Sequence, residues 1–211
     1  MNKLYITLIL FAFACAQQNT IGYTNLLKTL NGDYSKNGWN HYGPGYFTLD
    51  KNTGVLETIG GMGLFWYSVK KYKNFILELD YKTSEQKANS GIFLRVPEIP
   101  VSDDYIYNTF EIQICDSGED DSKTAAVYLA SAASKNASNP PEEWNHYKIT
   151  FIDDRITVEL NGELVNDWNA FPKGKVKDFS DEGYIGIQNH DWDTKVSFKN
   201  ILIKELESGA K

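Results

Sequence analysis

Cysteine is scarce in this sequence, and so are long apolar runs. The 211 residues include two cysteines, Cys15 and Cys115. Cys15 lies in an N-terminal segment with the features of a cleaved leader, so a mature chain cut behind it keeps one thiol and has no internal disulfide. After residue 16, no apolar run approaches the roughly twenty residues that a membrane-spanning helix needs. The core must therefore hold the fold without covalent cross-links.

Positive charge is also in deficit. There are 21 Lys and Arg residues against 28 Asp and Glu, for a net charge of −7. This balance argues against a nucleic-acid partner, because binding phosphate requires a basic face. Aromatic residues, by contrast, are abundant, with 13 Tyr, 11 Phe and 5 Trp. They can fill a large core, and exposed aromatic rings can stack on sugar rings.

The N-terminus has the pattern of a secretory signal peptide. Lys3 precedes an apolar run over residues 4–13, and small residues follow at Ala14 and Ala16. This order of charge, short apolar run and small-x-small is typical of a cleaved export signal. We therefore expect a signal peptide over residues 1–16 and a secreted, periplasmic or cell-surface protein.

The exact cleavage point decides the fate of the first thiol. Cleavage after Ala14 would leave Cys15 at the mature N-terminus, where bacterial lipoproteins carry lipid, but the preceding residues match that signal poorly. The rest of the chain has no internal repeat and no linker. Its length suits one domain, expected over residues 17–207, with a disordered tail at 208–211.

Alternation of apolar and polar residues predicts β-strands along the mature chain. No segment shows a convincing 3.6-residue period. Asn161-Gly162, the strongest short hairpin signal, follows the alternating segment 155–160, and Asp153-Asp154 joins that segment to 147–152 before it. Short strands at regular spacing, broken by Gly, Asn and Asp, indicate an antiparallel sandwich or barrel. The predicted strands are 55–59, 63–68, 75–82, 92–96, 110–115, 125–128, 147–152, 155–160, 164–165, 184–188 and 196–206.

Two stretches between these strands are predicted to be long loops. Residues 97–108 hold two prolines, and residues 130–143 are small and polar and contain Pro140-Pro141. Long structured loops in a compact domain are often functional.

Three predicted strands carry polar side chains on the face opposite the core. A strand directs alternate residues to opposite faces, so the branched apolar residues of 92–96, 110–115 and 184–188 lie on one side and the polar ones on the other. Any half-exposed sheet has polar residues outward, but this explains Lys and Glu better than Gln, His and Arg on successive strands. If the strands are neighbours, one surface holds Arg95, Glu111, Gln113, Gln188 and His190.

A series of short motifs follows in order along nearly the whole mature chain. Single motifs such as Asn161-Gly162 are weak, but the ordered set is specific. The motifs are Lys71-Tyr72-Lys73-Asn74-Phe75, Asn89-Ser90-Gly91-Ile92-Phe93-Leu94-Arg95, Glu111-Ile112-Gln113-Ile114-Cys115-Asp116, Glu143-Trp144-Asn145, Leu160-Asn161-Gly162, Gly183-Tyr184-Ile185-Gly186-Ile187-Gln188-Asn189-His190 and Phe198-Lys199-Asn200-Ile201. In this order the chain resembles the 3-keto-disaccharide hydrolase family.

The resemblance implies an all-β fold, an antiparallel jelly-roll β-sandwich of the concanavalin A-like, laminarinase type. Laminarinase-type enzymes carry Glu-x-Asp-x-x-Glu on one strand, whereas the corresponding run here is Glu111-x-Gln113-x-x-Asp116. Asp116 converges with Glu111 only if a β-bulge adds a residue between them. Gln113 does not relay a proton as Asp would. The ordinary retaining mechanism, which needs two carboxyl groups about 5 Å apart, is therefore disfavoured.

The resemblance also implies elimination chemistry on 3-keto-glycosides. A ketone at C3 acidifies the C2 hydrogen, a base removes it, and the enolate expels the C1 substituent. Water then adds to the double bond, which completes a net hydrolysis. Such a site needs a base, an oxyanion stabiliser and an acid. The base would be His190 or Glu111 and the acid Asp116 or Glu111. The candidate substrate-binding residues are Asn89, Arg95, Gln113, Gln188 and Trp192.

In this scheme Arg95, with the two glutamines, would hold the enolate oxygen and the sugar hydroxyls. No cofactor is required. A divalent cation bound by Glu111, Asp116 and His190 could replace Arg95 as the electrophile, and mixed nitrogen and oxygen ligands permit this.

Three positions depart from the family pattern, and two other functions stay open. Ala125, Leu129 and Asp191 stand where the family usually has glycine, and Trp192 after the last of them would be either a sugar platform or part of the core. The chain could instead be a non-catalytic carbohydrate-binding module, since the same sandwich serves lectins. It could also be an ordinary glycoside hydrolase that uses Glu111 and Asp116. In each case the expected partner is a carbohydrate.

Overall fold

The computed structural model describes residues 22–207, which form two β-sheets. The expected signal peptide at 1–16, the lipid site at Cys15 and the tail at 208–211 lie outside the described residues. Within 22–207, no helix is long and apolar enough to cross a membrane. The elements are β1 (Thr24–Asn25), β2 (Trp39–Tyr42), β3 (Tyr46–Leu49), β4 (Leu56–Ile59), β5 (Gly63–Tyr72), β6 (Phe75–Thr83), β7 (Ser90–Val96), a 3₁₀ helix (Asp103–Ile106), β8 (Phe110–Ile114), a second 3₁₀ helix (Asp120–Ser122), β9 (Asn145–Ile152), β10 (Arg155–Leu160), β11 (Glu163–Asn169), β12 (Gly183–Asn189) and β13 (Val196–Glu205).

The two sheets are both antiparallel. The larger one has eight strands in the order β11-β10-β9-β6-β13-β4-β3, with β1 paired to β13. The smaller one has five strands in the order β2-β5-β12-β7-β8. Their pairing is antiparallel throughout. The all-β antiparallel sandwich expected from the sequence is confirmed.

The main core lies between the sheets and follows directly from the alternation of the sequence. In β9, buried Tyr147, Ile149 and Phe151 alternate with half-buried residues. Phe110 of the smaller sheet meets Phe151 edge to face, with ring centroids 5.0 Å apart. The smaller sheet therefore buries one face in the sandwich. Its opposite face, called the outer face below, carries a separate apolar cluster of Leu64, Trp66, Phe93, Val96 and Tyr105.

Most predicted strands are present, but one is wrong. Residues 125–128 do not form a strand, although Tyr128 N donates to Glu111 O (2.9 Å) and Gln113 N donates to Ala126 O (3.0 Å) at the edge of β8. Positive φ angles at Ala125 (68°) and Leu129 (56°) bend the chain at both ends, so extended pairing stops. Strands β1, β2 and β3 were not predicted.

The Arg95 side chain does not lie on the outer face, so the prediction that placed it beside Glu111 and Gln188 is wrong. Tyr184 of β12 pairs with Val96 of β7 while Gly186 pairs with Phe93, so β7 contains an extra residue there. Arg95 has φ +55°, and this bulge turns its side chain away from its neighbours on the strand.

The Arg95 side chain is 1% exposed and belongs to the core. Its Nη2 donates to Lys73 O (2.7 Å) and Asp153 O (2.8 Å), its Nε donates to Lys73 O (3.1 Å), and the guanidinium stacks 3.5 Å above the Phe151 ring. Burial lowers the pKa of Arg95 to about 10. Arg95 thus links the β5–β6 turn to the β9–β10 turn. Its side chain does not lie on the face where a ligand was expected.

Replacing Arg95 by Met should lower the free energy of unfolding by about 3 kcal/mol or more, since three part-buried hydrogen bonds from a charged guanidinium are lost. For a domain of this size that is a drop of about 10 °C in Tm, measurable by calorimetry. Arg155→Met is the matched control, because it removes an exposed bidentate pair with Asp167 that contributes at most about 1 kcal/mol. Equal stability of the two variants would show that the Arg95 contacts do not stabilise the fold.

Candidate functional site

The outer face of the smaller sheet places the predicted polar residues in neighbouring rows. Gln188 of β12 is level with Leu64 of β5, and Gly91 of β7 pairs with Gln113 of β8. One row further along, Phe93 pairs with Glu111. Glu111 and Gln113 are alternate residues of β8, which pairs regularly with β7, so both lie on the outer face, as the alternation of the sequence predicted.

A glycine makes room for the acid on this face. A Cβ on Gly91 would stand 2.7 Å from Cγ of Glu111. The Glu111 side chain therefore lies across the backbone of β7, and a larger residue at position 91 would displace it.

A pocket of about 270 Å³ opens over these rows. Four of the predicted site residues line it, namely Asn89, Glu111, Gln188 and His190. The remaining walls come from loops. They are Met62 before β5, Ile106 and Tyr107 from the 97–108 loop, Tyr128 and Leu129 beside β8, and Lys175 from the β11–β12 connection. Gln113 is buried on the same face but does not line the pocket.

Glu111 forms a buried ion pair with Lys175 at the base of this pocket. Lys175 Nζ lies 2.6 Å from Glu111 Oε2, and the two side chains are 4% and 5% exposed. The ammonium group also lies 4.5 Å from the centroid of the Tyr128 ring and 5.4 Å from that of Phe93. A buried pair of this kind is weak evidence for stability, because desolvation offsets most of the attraction. It is a common feature of functional sites.

Burial moves the two pKa values of this pair toward each other. It raises the pKa of Glu111, against the opposing charges of Lys175 and His190. It lowers the pKa of Lys175, against the attraction of Glu111. The proton of Lys175 is therefore held less tightly than that of an exposed lysine, and Glu111 accepts a proton more readily than an exposed glutamate.

His190 lies at the open side of the pocket. Its side chain is 42% exposed, and Nδ1 is 3.5 Å from Oδ2 of Asp191. Burial raises the pKa of Asp191, but hydrogen bonds from Thr194 and Asp193 outweigh it and leave that pKa below its usual value. Asp191 is thus an anion beside the imidazole, and it favours the Nδ1–H form with Nε2 free to accept a proton.

Three buried amide oxygens on this face have no hydrogen-bond partner among the described residues. They are Oδ1 of Asn89, Oε1 of Gln113 and Oε1 of Gln188. A buried acceptor without a donor is costly and rare. Asn89 and Gln188 line the pocket, so hydroxyl groups of a bound ligand are suited to satisfy these two oxygens.

Asp116 is not part of this pocket. β8 pairs regularly with β7 and ends at Ile114, so no bulge turns Asp116 toward Glu111. Its Oδ1 instead accepts hydrogen bonds from Thr124 Oγ1 (2.6 Å) and Ser138 Oγ (2.7 Å). Asp116 thereby ties down the loop at 130–143.

The metal ligands considered from the sequence are consequently not brought together, because Asp116 is turned away from Glu111 and His190. Within residues 22–207, no group of three or more His, Cys, Asp and Glu side chains is placed to hold a metal ion. The described donors do not fit the cation site that the sequence suggested.

Trp192 is not a core residue. It is 71% exposed, and it lies over Gly60 and Gly61, directly before Met62 of the pocket. Leu129, which stands where the family usually has glycine, lines the pocket and is 42% exposed.

Lys175 is the charged pocket residue that the sequence interpretation missed. It belongs to an irregular connection, 64 residues from Glu111. Its position depends on Gly174, whose φ is +53°, and on a hydrogen bond from Asn108 N to Lys175 O (2.8 Å). A lysine in a polar loop is normally solvated, so no pattern in the sequence distinguishes it.

The family model of the 3-keto-alpha-glucoside-1,2-lyase-like domain matches residues 22–204, which is nearly the whole described region. The chain belongs to this family. The resemblance inferred from the ordered motifs is confirmed, and membership makes the chain a carbohydrate-active hydrolase or carbohydrate-binding domain. A comparison with curated proteins finds no match.

Solved structures agree with this assignment. One protein of Parabacteroides distasonis, described as a candidate glycosyl hydrolase, is 26% identical with a TM-score of 0.73, over 89% of this chain and 95% of that one. A second from the same organism is 27% identical with a TM-score of 0.71, over 87% and 99%. A carbohydrate-binding module of Bacillus subtilis shares the fold at 16% identity and a TM-score of 0.53, over 80% and 96%.

Proposed function

We propose that this family member is an exported enzyme that cleaves 3-keto-glycosides by proton abstraction at C2, β-elimination and hydration. The observation that carries the proposal is the pocket in which His190 stands at the mouth and the buried Glu111–Lys175 pair at the base. Family membership and the candidate glycosyl hydrolases among the similar structures support a carbohydrate substrate.

His190 is proposed as the base. It is partly exposed, and its imidazole is oriented by Asp191 so that Nε2 is free to accept a proton. It removes the C2 proton, and the electrons move onto the C3 ketone oxygen as an enolate.

Lys175 is proposed as the electrophile that stabilises this enolate, the role first expected of Arg95. Its ammonium group is fixed by Glu111 in a site with little water, where a charge acts most strongly. When the enolate collapses and the C1–oxygen bond breaks, negative charge moves to the leaving oxygen. A proton then passes from Lys175 through Glu111 to that oxygen, which the opposed pKa shifts of the pair favour.

The amide groups of Asn89 and Gln188 are proposed to hold the sugar ring. Within residues 22–207 their oxygens are buried acceptors without a donor, and sugar hydroxyls can donate to them. Water finally adds across the double bond: its hydroxyl bonds to C1, C2 takes a proton from the solvent-exchanged imidazolium of His190, and the remaining proton of the water restores the Lys175–Glu111 pair, so that the products equal those of hydrolysis.

The ordinary retaining mechanism is less well supported by this pocket. Among the described residues that line it, Glu111 is the one carboxylate. A retaining glycosidase needs two carboxyl groups about 5 Å apart, and Asp116 is engaged by Thr124 and Ser138 instead.

The test is to offer purified protein a chemically oxidised 3-keto-disaccharide and its unoxidised parent, and to follow the released sugars by chromatography. We expect release from the keto-disaccharide alone. Binding of both sugars without release would identify a carbohydrate-binding module. Release from the parent disaccharide or from an unoxidised β-glucan would identify an ordinary glycoside hydrolase.

A further inference from the structure

Trp192 presents one flat face of its indole to solvent because the other lies on two glycines. A Cβ on Gly60 would stand 3.1 Å from Cζ3, 3.3 Å from Cε3 and 4.0 Å from Cη2 of Trp192. A Cβ on Gly61 would stand 2.7 Å from Cζ2 and 2.9 Å from Cε2. A side chain on either of these two residues, which we call the glycine shelf, would therefore meet the five named carbons of the benzene ring. Only residues without a side chain allow the ring to lie this close.

Both the glycine shelf and the tryptophan are held in place. Asn189 Nδ2 donates to Ile59 O (3.0 Å) and to Gly60 O at the edge of the shelf. Asp191 Oδ1 accepts from Asp193 N (3.0 Å) and Thr194 N (2.7 Å), which fixes the turn that carries Trp192. A ligand that stacks on this ring would lose little entropy in ordering the protein.

The exposed ring adjoins the pocket at its open end. Trp192 is two residues from His190, and Gly61 is followed by Met62, and both His190 and Met62 line the pocket. Ile106 and Tyr107 also line the pocket, and Tyr105 next to them packs edge to face on Phe93 with centroids 5.4 Å apart. The group that follows a sugar inside the pocket is therefore next to the ring of Trp192 when it leaves on the side of His190 and Met62.

We propose that Trp192 on its glycine shelf is the binding platform for the leaving group, and that the preferred substrate carries a cyclic leaving group, such as a second pyranose ring. This rests on the proposed function, in which the sugar to be cleaved occupies the pocket. The C–H face of a pyranose is flat and weakly positive, and the face of an indole is negative, so the two stack.

The first experiment measures binding without turnover, by titration calorimetry with an unoxidised disaccharide of two pyranose rings and with the methyl glycoside of one ring. For Trp192→Ala we expect about tenfold weaker binding of the disaccharide, the effect of losing one ring-on-ring stack, and unchanged binding of the methyl glycoside. Trp192→Phe should recover much of the lost affinity for the disaccharide. Gly61→Ala should weaken disaccharide binding less than Trp192→Ala does, because the new Cβ lifts the indole. Phe171→Ala, which removes an aromatic ring exposed to 52% elsewhere, is the control. Equal effects of Trp192→Ala on both sugars, or none on either, would overturn the proposal.

The second experiment repeats the comparison with the two 3-keto derivatives. Trp192→Ala should raise KM for the keto-disaccharide about tenfold with kcat unchanged, and should leave both constants for the methyl 3-keto-glycoside as they are. If wild-type protein consumes neither keto sugar, the proposed function fails, whereas the calorimetric comparison still decides whether Trp192 is a sugar platform.

Discussion

Replacing Lys175 by Met is expected to remove turnover and to destabilise the fold at the same time. The ammonium group is the positive charge next to the proposed enolate, and loss of one such stabilising group lowers kcat by about 10²–10³. The variant also leaves Glu111, 4% exposed, without its partner. An unpaired buried charge costs about 3–5 kcal/mol, which calorimetry or urea unfolding measures directly.

The double variant Glu111→Gln/Lys175→Met separates the two effects. Neutral side chains of similar volume restore most of the stability, since a buried ion pair contributes little once desolvation is counted, but they restore no turnover. Lys148→Met serves as the control, because its pair with Glu159 (2.8 Å) is half-exposed and lies on the other sheet. A double variant as unstable as Lys175→Met, or full turnover in either variant, would contradict the assigned role of the pair.

His190→Ala is expected to lower turnover by about 10²–10⁴, the usual contribution of a general base, without unfolding the domain. The imidazole is 42% exposed and makes one loose contact with Asp191, so its removal leaves no buried group unpaired. Binding of an unoxidised disaccharide should persist, because Asn89 and Gln188 still face the pocket.

His146→Ala is the matched control for this variant. His146 lies in β9 of the larger sheet, with Nδ1 2.8 Å from Asp80 Oδ1, so its loss should change stability and leave turnover intact. Unchanged turnover in His190→Ala would remove the imidazole from the mechanism. Loss of sugar binding in parallel with turnover would make it a binding residue instead.

The sequence was sufficient for those site residues whose strands pair regularly. Glu111, Gln113 and Gln188 lie on the outer face because alternation is strict wherever no bulge intervenes. His190 follows β12 directly and lines the same pocket.

Where the backbone departs from regular pairing, the sequence was not sufficient. Arg95 is lost from the outer face because one extra residue in β7 shifts every later side chain, and an arginine at φ +55° has no signature in composition or periodicity. Asp116 is lost for the converse reason, since the bulge that would turn it inward is absent from β8. Lys175 enters from a loop, and only the closure of the whole sandwich brings it to Glu111.

The central claim is that cleavage begins at C2, and deuterium labelling tests it most directly. Wild-type protein is incubated with a 3-keto-disaccharide in D₂O, and the released 3-keto sugar is examined by NMR. We expect deuterium at C2 and none above background at C4, which also adjoins the ketone and so reports uncatalysed exchange. Release of a sugar that still carries hydrogen at C2 would show direct displacement at C1 and contradict the account.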